Sequence, residues 1–151
     1  MQTENPHFEY PENWQRAAGL VDFEPSEPGL TGGHDLHSLA VFVRDHEHRE
    51  LPRAERSLEA HYGAFVLSQS RPGAGRARQL ALETSYGNAP QAVRIAGREA
   101  RRYELGPEPG REDPDPRSPA VLVWCDGDRF YLLASEILPA DELIPIAESI
   151  Y

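Results

Sequence analysis

Histidine is the residue whose spacing in this chain first suggests chemistry. His34 and His37 stand at i, i+3, His46 and His48 at i, i+2, and Asp35, Asp45 and Glu47 lie among them. Convergent imidazoles and carboxylates are the ligands that zinc and related metals take, so His34, His37, His46 and His48 form a candidate metal region. His61 follows on a segment read below as helix. The run HEHRE is not the H-E-x-x-H of zinc proteases, and a polar stretch of His, Asp and Glu reads first as a solvated turn. Nucleophile-elbow, dinucleotide and calcium-loop motifs are absent. All 15 basic residues are arginine, which excludes Schiff-base chemistry and a phosphate loop built on lysine. The sequence assigns no catalytic residue and no cofactor.

Two further groups carry chemical potential. Cys125 is the one cysteine of the chain, so no intramolecular disulfide forms. A thiolate nucleophile needs a cationic neighbour or a base, and none adjoins Cys125 in sequence; it reads as a small core residue. Arg94, Arg98, Arg101 and Arg102 concentrate positive charge on one hairpin, whereas Gly106 to Tyr151 holds 10 acidic residues against 3 arginines. Such asymmetry can steer a protein partner, which makes these four arginines candidate partner-binding residues. The competing reading is the solvated face of an edge hairpin.

Composition narrows the classes. A net charge of −10 repels nucleic acid, so no nucleic-acid partner is expected. A chain of 151 residues with 39% hydrophobic content suits one domain over 1–151. No apolar run follows Met1 that would serve as a leader or membrane anchor. The expectation is a cytoplasmic protein without a membrane partner, or an exported one if a leader has been removed.

The positioning elements are clearest near the C-terminus. Asp126-Gly127 separates two runs of β-formers and predicts a hairpin closed by a type I′ turn on those two residues. Cys125 then pairs with Asp128, Trp124 with Arg129 in a structural cation–π contact, and Val123 with Phe130. One face carries Val121, Val123, Cys125, Phe130 and Leu132, the other Leu122, Trp124, Tyr131 and Leu133. Both are apolar, so the hairpin is expected inside its sheet with something packed on each side.

Leu143, Ile146, Ala147 and Ile150 form the stripe of a terminal helix. Pro145 is expected near its first position, after a loose turn from Pro139 to Leu143. Upstream, Phe8 and Tyr10 suggest an edge strand, and Leu39 to Arg44 alternates as a strand. Asp45 to Pro52 turns the chain, and Ser57 to Gln69 reads as a helix presenting Leu58, Tyr62, Phe65 and Val66. Strands are expected at Gln79 to Thr84, Ala92 to Ala96 and Glu99 to Leu105, the last two turning at Gly97. Gly106 to Pro119, with five prolines, two glycines and four acids, reads as a mobile loop. A tolerated insertion is its bland interpretation, a lid or docking strap its functional one.

The segments FEYPENW, SLAVFVRD, SLEAHYGAF, VRIAGREARRYEL and DRFYLLASEILPADELIPIAESIY together resemble successive landmarks of the PsbP-like superfamily, in particular its LpqN-type bacterial domains. A second resemblance is to the C-terminal portion of lipoprotein-sorting-like domains. The first implies an α+β fold in which helices cover both faces of an antiparallel sheet, a three-layer α/β/α sandwich. It implies no shared catalytic site, because its members serve as accessory subunits and binding proteins. The expected function is a non-catalytic binding or accessory domain for protein–protein interaction. The alternatives are a carrier of a small apolar ligand between sheet and helix, and a metal-dependent enzyme using His34, His37, His46 and His48.

Overall fold

Alternating burial marks the strands Ser57–Tyr62, Phe65–Ser70 and Arg129–Ser135, and the strand Ala120–Asp126 is buried along most of its length. The computed structural model describes residues 5–86, 89–104 and 120–151. They form one antiparallel sheet in the order β1-β2-β3-β4-β8-β7-β6-β5 with three helices packed against it. The strands are β1 (Phe8–Glu9), β2 (Leu36–Phe42), β3 (Ser57–Tyr62), β4 (Phe65–Ser70), β5 (Gln91–Ile95), β6 (Arg98–Glu104), β7 (Ala120–Asp126) and β8 (Arg129–Ser135). The helices are α1 (Trp14–Leu20), α2 (Ala74–Glu83) and α3 (Ala140–Glu148). The fold is α+β. Residues 106–119, expected as a loop, lie outside the described residues.

The hairpin β7–β8 is interior to the sheet. Its register is Asp126↔Arg129, Cys125↔Phe130, Trp124↔Tyr131 and Leu122↔Leu133, so the turn lies on Gly127-Asp128 rather than Asp126-Gly127. Only Gly127 has a positive φ, at 59°, the pattern of a type II′ turn, which asks for glycine at its first central position. The pairing moves by two residues and keeps its parity, so each face retains its apolar set. Val121 and Val123 pack with Tyr103 against Ala81 and Tyr86. Leu122, Trp124 and Leu133 belong to the larger core, which takes in Leu143, Ile146 and Ala147 of α3 and Ala17 of α1. Trp124 stacks on Tyr131 at 5.1 Å and 14°. Arg129, expected on Trp124, lies instead 4.5 Å over the Phe23 ring.

Two segments take the opposite secondary structure from that expected. Ser57 to Gln69 is not a helix but the hairpin β3–β4, paired from Ser57↔Ser70 to Tyr62↔Phe65. Leu58, Ala60 and Tyr62, then Phe65, Leu67 and Gln69, are the buried positions, a period of two that restarts across Gly63-Ala64 and imitates a helical stripe when read through the turn. A Cβ on Gly63 would stand 2.7 Å from Cε1 of His37, so the turn leaves room for that ring. Gln79 to Thr84 is not a strand but the second half of α2 and its C-cap. Arginine, alanine, leucine and glutamine are strong helix formers, and Pro72-Gly73 starts the helix.

Three smaller points complete the frame. α1 was not foreseen; the side chain of Asn13 caps it by accepting from Arg16 N, and Arg53 and Arg56 donate to the carbonyls of Val21 and Leu20 at its far end. α3 begins at Ala140, earlier than expected, and carries Pro145 inside it. That proline removes a hydrogen bond at about 3 kcal/mol, against about 1.5–3 kcal/mol from each fully buried Leu or Ile side chain such as Leu143 and Ile146. Finally, β5 and β6 join through Ala96-Gly97, with φ of 47° and 82°, the left-handed pair of a type I′ turn.

Candidate functional site

The four hairpin arginines divide between the two faces of the sheet. Arg98 and Arg102 project toward α3 and are paired: Arg98 with Asp126 at 2.9 Å, Arg102 with Glu104 at 2.6 Å and Asp141 at 2.7 Å. Hydrogen bonding to Glu104 and Asp141 pushes the Arg102 guanidinium above its ordinary range. Arg94 and Arg101 project toward α2, where register aligns Arg94 with Glu99 and Arg101 with Ala92 and Val123.

On that second face a groove of about 660 Å³ opens between α2 and β5, β6 and β7. Ala92, Val123 and Cys125 provide a small apolar floor, and Ala81 and Leu82 form the helical wall. Leu82 is 55% exposed, an apolar side chain left to solvent at the rim. Arg78, Arg94 and Arg101 stand around this floor with one carboxylate, Glu99. None of the three arginines has an ion-pair partner among the described residues. Arg94 Nη1 donates to the Gly97 carbonyl at 3.2 Å. Arg101 Nη1 donates to the Leu82 carbonyl at 3.1 Å, which also satisfies the C-terminal end of α2.

Arg78 is not among the residues the sequence singles out, because the adjoining segment Gln79 to Thr84 reads as a strand there. Its signal was present, since Arg78, Ala81 and Leu82 share a face at i, i+3 and i+4. Cys125 is half-buried in the groove rather than a sealed core residue.

The histidines separate into two places. His37, the second residue of β2, lines a second groove of about 600 Å³ with His61, Phe65, Val66, Ala134 and Ile137. His61 pairs with Glu59 at 3.1 Å, and His34 meets the Phe65 ring edge-on at 6.2 Å. His46 and His48 lie beyond the other end of β2, roughly 20 Å away at the rise of a strand. There the unforeseen partner is His7, stacked on His48 at 4.9 Å and 6.2 Å from His46. Pairing of β1 with β2 brings it in, which no local spacing could show. His7 Nδ1 donates to the Asp45 carbonyl at 3.0 Å, an acceptor that fixes the proton on that nitrogen. Asp45 accepts from the backbone of Arg49 and Glu47, and these bonds hold its carboxyl below the usual range. No three His, Cys, Asp or Glu side chains among the described residues converge as a metal-binding group.

No protein-family model, curated protein or solved structure matches the chain. Chemistry and geometry therefore carry the functional reading. No helix among the described residues is long and apolar enough to cross a membrane.

Proposed function

We propose that this is a non-catalytic binding domain, of the three-layer PsbP-like kind, whose groove between α2 and β5–β7 receives an acidic segment of a protein partner. One observation carries it: Arg78, Arg94 and Arg101 surround an open apolar floor without an ion-pair partner among the described residues, in a chain of net charge −10. Elsewhere on the hairpin, arginine is neutralised by Asp or Glu. A cationic rim with no ion-pair partner among the described residues of an acidic chain steers an anionic partner and repels other copies of the same surface. The division of β7 between two apolar clusters supports the three-layer reading.

Titration of ¹⁵N-labelled protein with short poly-L-glutamate tests this. Shifts are expected at Arg78, Arg94, Val123 and Cys125, and their loss in the Arg78→Glu, Arg94→Glu double variant. Shifts scattered over the surface, or equal shifts in the variant, would overturn the proposal.

A second reading, carriage of a small apolar ligand, rests on the other groove. Phe65, Val66, Ala134 and Ile137 line it, and Ile137 is an exposed large hydrophobic side chain. Native mass spectrometry before and after delipidation separates the two, because a carrier loses mass and a peptide-docking domain does not.

A further inference from the structure

The groove is bounded on its outer side by a strand edge that has no neighbour among the described residues. β5 pairs with β6 alone and ends the sheet; at the opposite end β1 is only two residues long. The five pairs from Gln91↔Arg102 to Ile95↔Arg98 run without a register break, and β5 contains no proline. It lacks the bulges, prolines and shortening by which proteins blunt an edge. Among the described residues its one deterrent is the charge of Arg94.

Register identifies the groups on offer. In a two-residue hairpin the residues flanking the turn exchange both backbone hydrogen bonds, and alternate pairs below repeat the pattern. Ile95, Val93 and Gln91 therefore turn their N–H and C=O groups to β6, whereas Ala92 and Arg94 turn theirs outward. No described group bonds to those of Ala92 and Arg94. The same two residues line the arginine groove.

We infer that an extended acidic peptide from a partner protein adds to β5 as a further strand, which deepens the proposed docking function. Backbone pairing to Ala92 and Arg94 supplies the affinity, and alternate side chains supply the selection. A residue opposite Arg94 meets its guanidinium, so Asp or Glu fits there and Lys or Arg does not. The position facing Ala92 meets a small apolar surface and takes an aliphatic side chain. Charge also argues against a second copy as occupant: β5 itself brings only Arg94, so pairing β5 with β5 gathers like charge.

The test is selection from a random peptide library on the intact protein, followed by amide exchange and N-methylation. Enriched peptides are expected to carry an acidic and an aliphatic residue two positions apart. They should slow exchange of the Ala92 and Arg94 amides, lose binding when alternate peptide nitrogens are methylated, and bind Arg94→Glu roughly tenfold or more weakly. Arg94→Ala, which keeps the edge but removes the charge, should retain part of the binding. Acidic peptides that tolerate N-methylation and leave those amides unprotected would overturn strand addition while the groove reading stands. Enrichment of non-acidic peptides, or no enrichment, would overturn both. A dimer whose Ala92 and Arg94 amides are protected without peptide would assign the edge to a second copy and overturn this inference.

Discussion

The indole Nε1 of Trp124 donates to the hydroxyl of Tyr151 at 2.9 Å, tying an interior strand to the second residue past the cap of α3. The Arg98 guanidinium lies 3.7 Å over the Tyr151 ring, so the sheet holds this residue through both its hydroxyl and its face. Tyr151→Phe keeps the ring and removes the acceptor. A loss of about 1 kcal/mol in urea unfolding is expected, together with a shift of the Trp124 indole resonance. Stability and resonance both unchanged would show that the bond is not made in solution.

Alkaline pH should weaken the fold through two phenols. Burial pushes Tyr62 and Tyr151 from 10.0 up to about 12. Between these values the folded chain holds protons that the unfolded chain has released, so stability is full below about pH 10 and falls as pH rises toward 12. Thermal midpoints across that window should fall less steeply for Tyr62→Phe and for Tyr151→Phe than for the unaltered protein. Parallel profiles would show that neither phenol is linked to folding.

Gln69 is a buried polar residue at the centre of a small network. Its amide donates to the Ser26 carbonyl at 3.0 Å, and its Oε1 accepts from Ser26 N at 2.7 Å and from Arg129 Nη2 at 3.0 Å. Gln69→Leu fills the space but strips partners from the segment after α1. A cost of about 1–3 kcal/mol is expected, with faster amide exchange at Ser26. A neutral result would mean that water replaces the amide.

Turn chemistry gives a stabilising prediction. Ala96 has φ of 47°, where a Cβ is strained and asparagine is tolerated better. Ala96→Asn should raise stability by a few tenths to about 1 kcal/mol, and Gly97→Ala should lower it by about 1 kcal/mol or more. Thermal melts of the two variants should move in opposite directions.

How much could be read from sequence depended on whether local pattern and long-range pairing agreed. The β7–β8 hairpin was legible because a shift by two leaves every side chain on its face, so a misplaced turn did no damage to the core assignment. β5–β6 was legible because Gly97 marks its turn. β3–β4 was misread because Leu58, Tyr62 and Phe65 also satisfy helical spacing, and only partner strands decide between the periods. With 79–84 read as a strand, Arg78 has no helical face and the groove has no wall, so neither is legible in the sequence. Arg94 and Arg101 were identified by charge alone; their separation from Arg98 and Arg102 follows from strand parity. His7 reaches His46 and His48 only through the sheet.

The most direct measurement uses the chain's one thiol, which lies in the groove. Alkylation of Cys125 by N-ethylmaleimide is followed by mass spectrometry with and without short poly-L-glutamate, in the unaltered protein and in Arg78→Glu, Arg94→Glu. Occupation of the groove should slow alkylation several-fold in the unaltered protein and leave the variant's rate unchanged, with the protection fading at high salt. An unaffected rate in the unaltered protein, or equal slowing in both proteins, would contradict an acidic occupant held by these arginines.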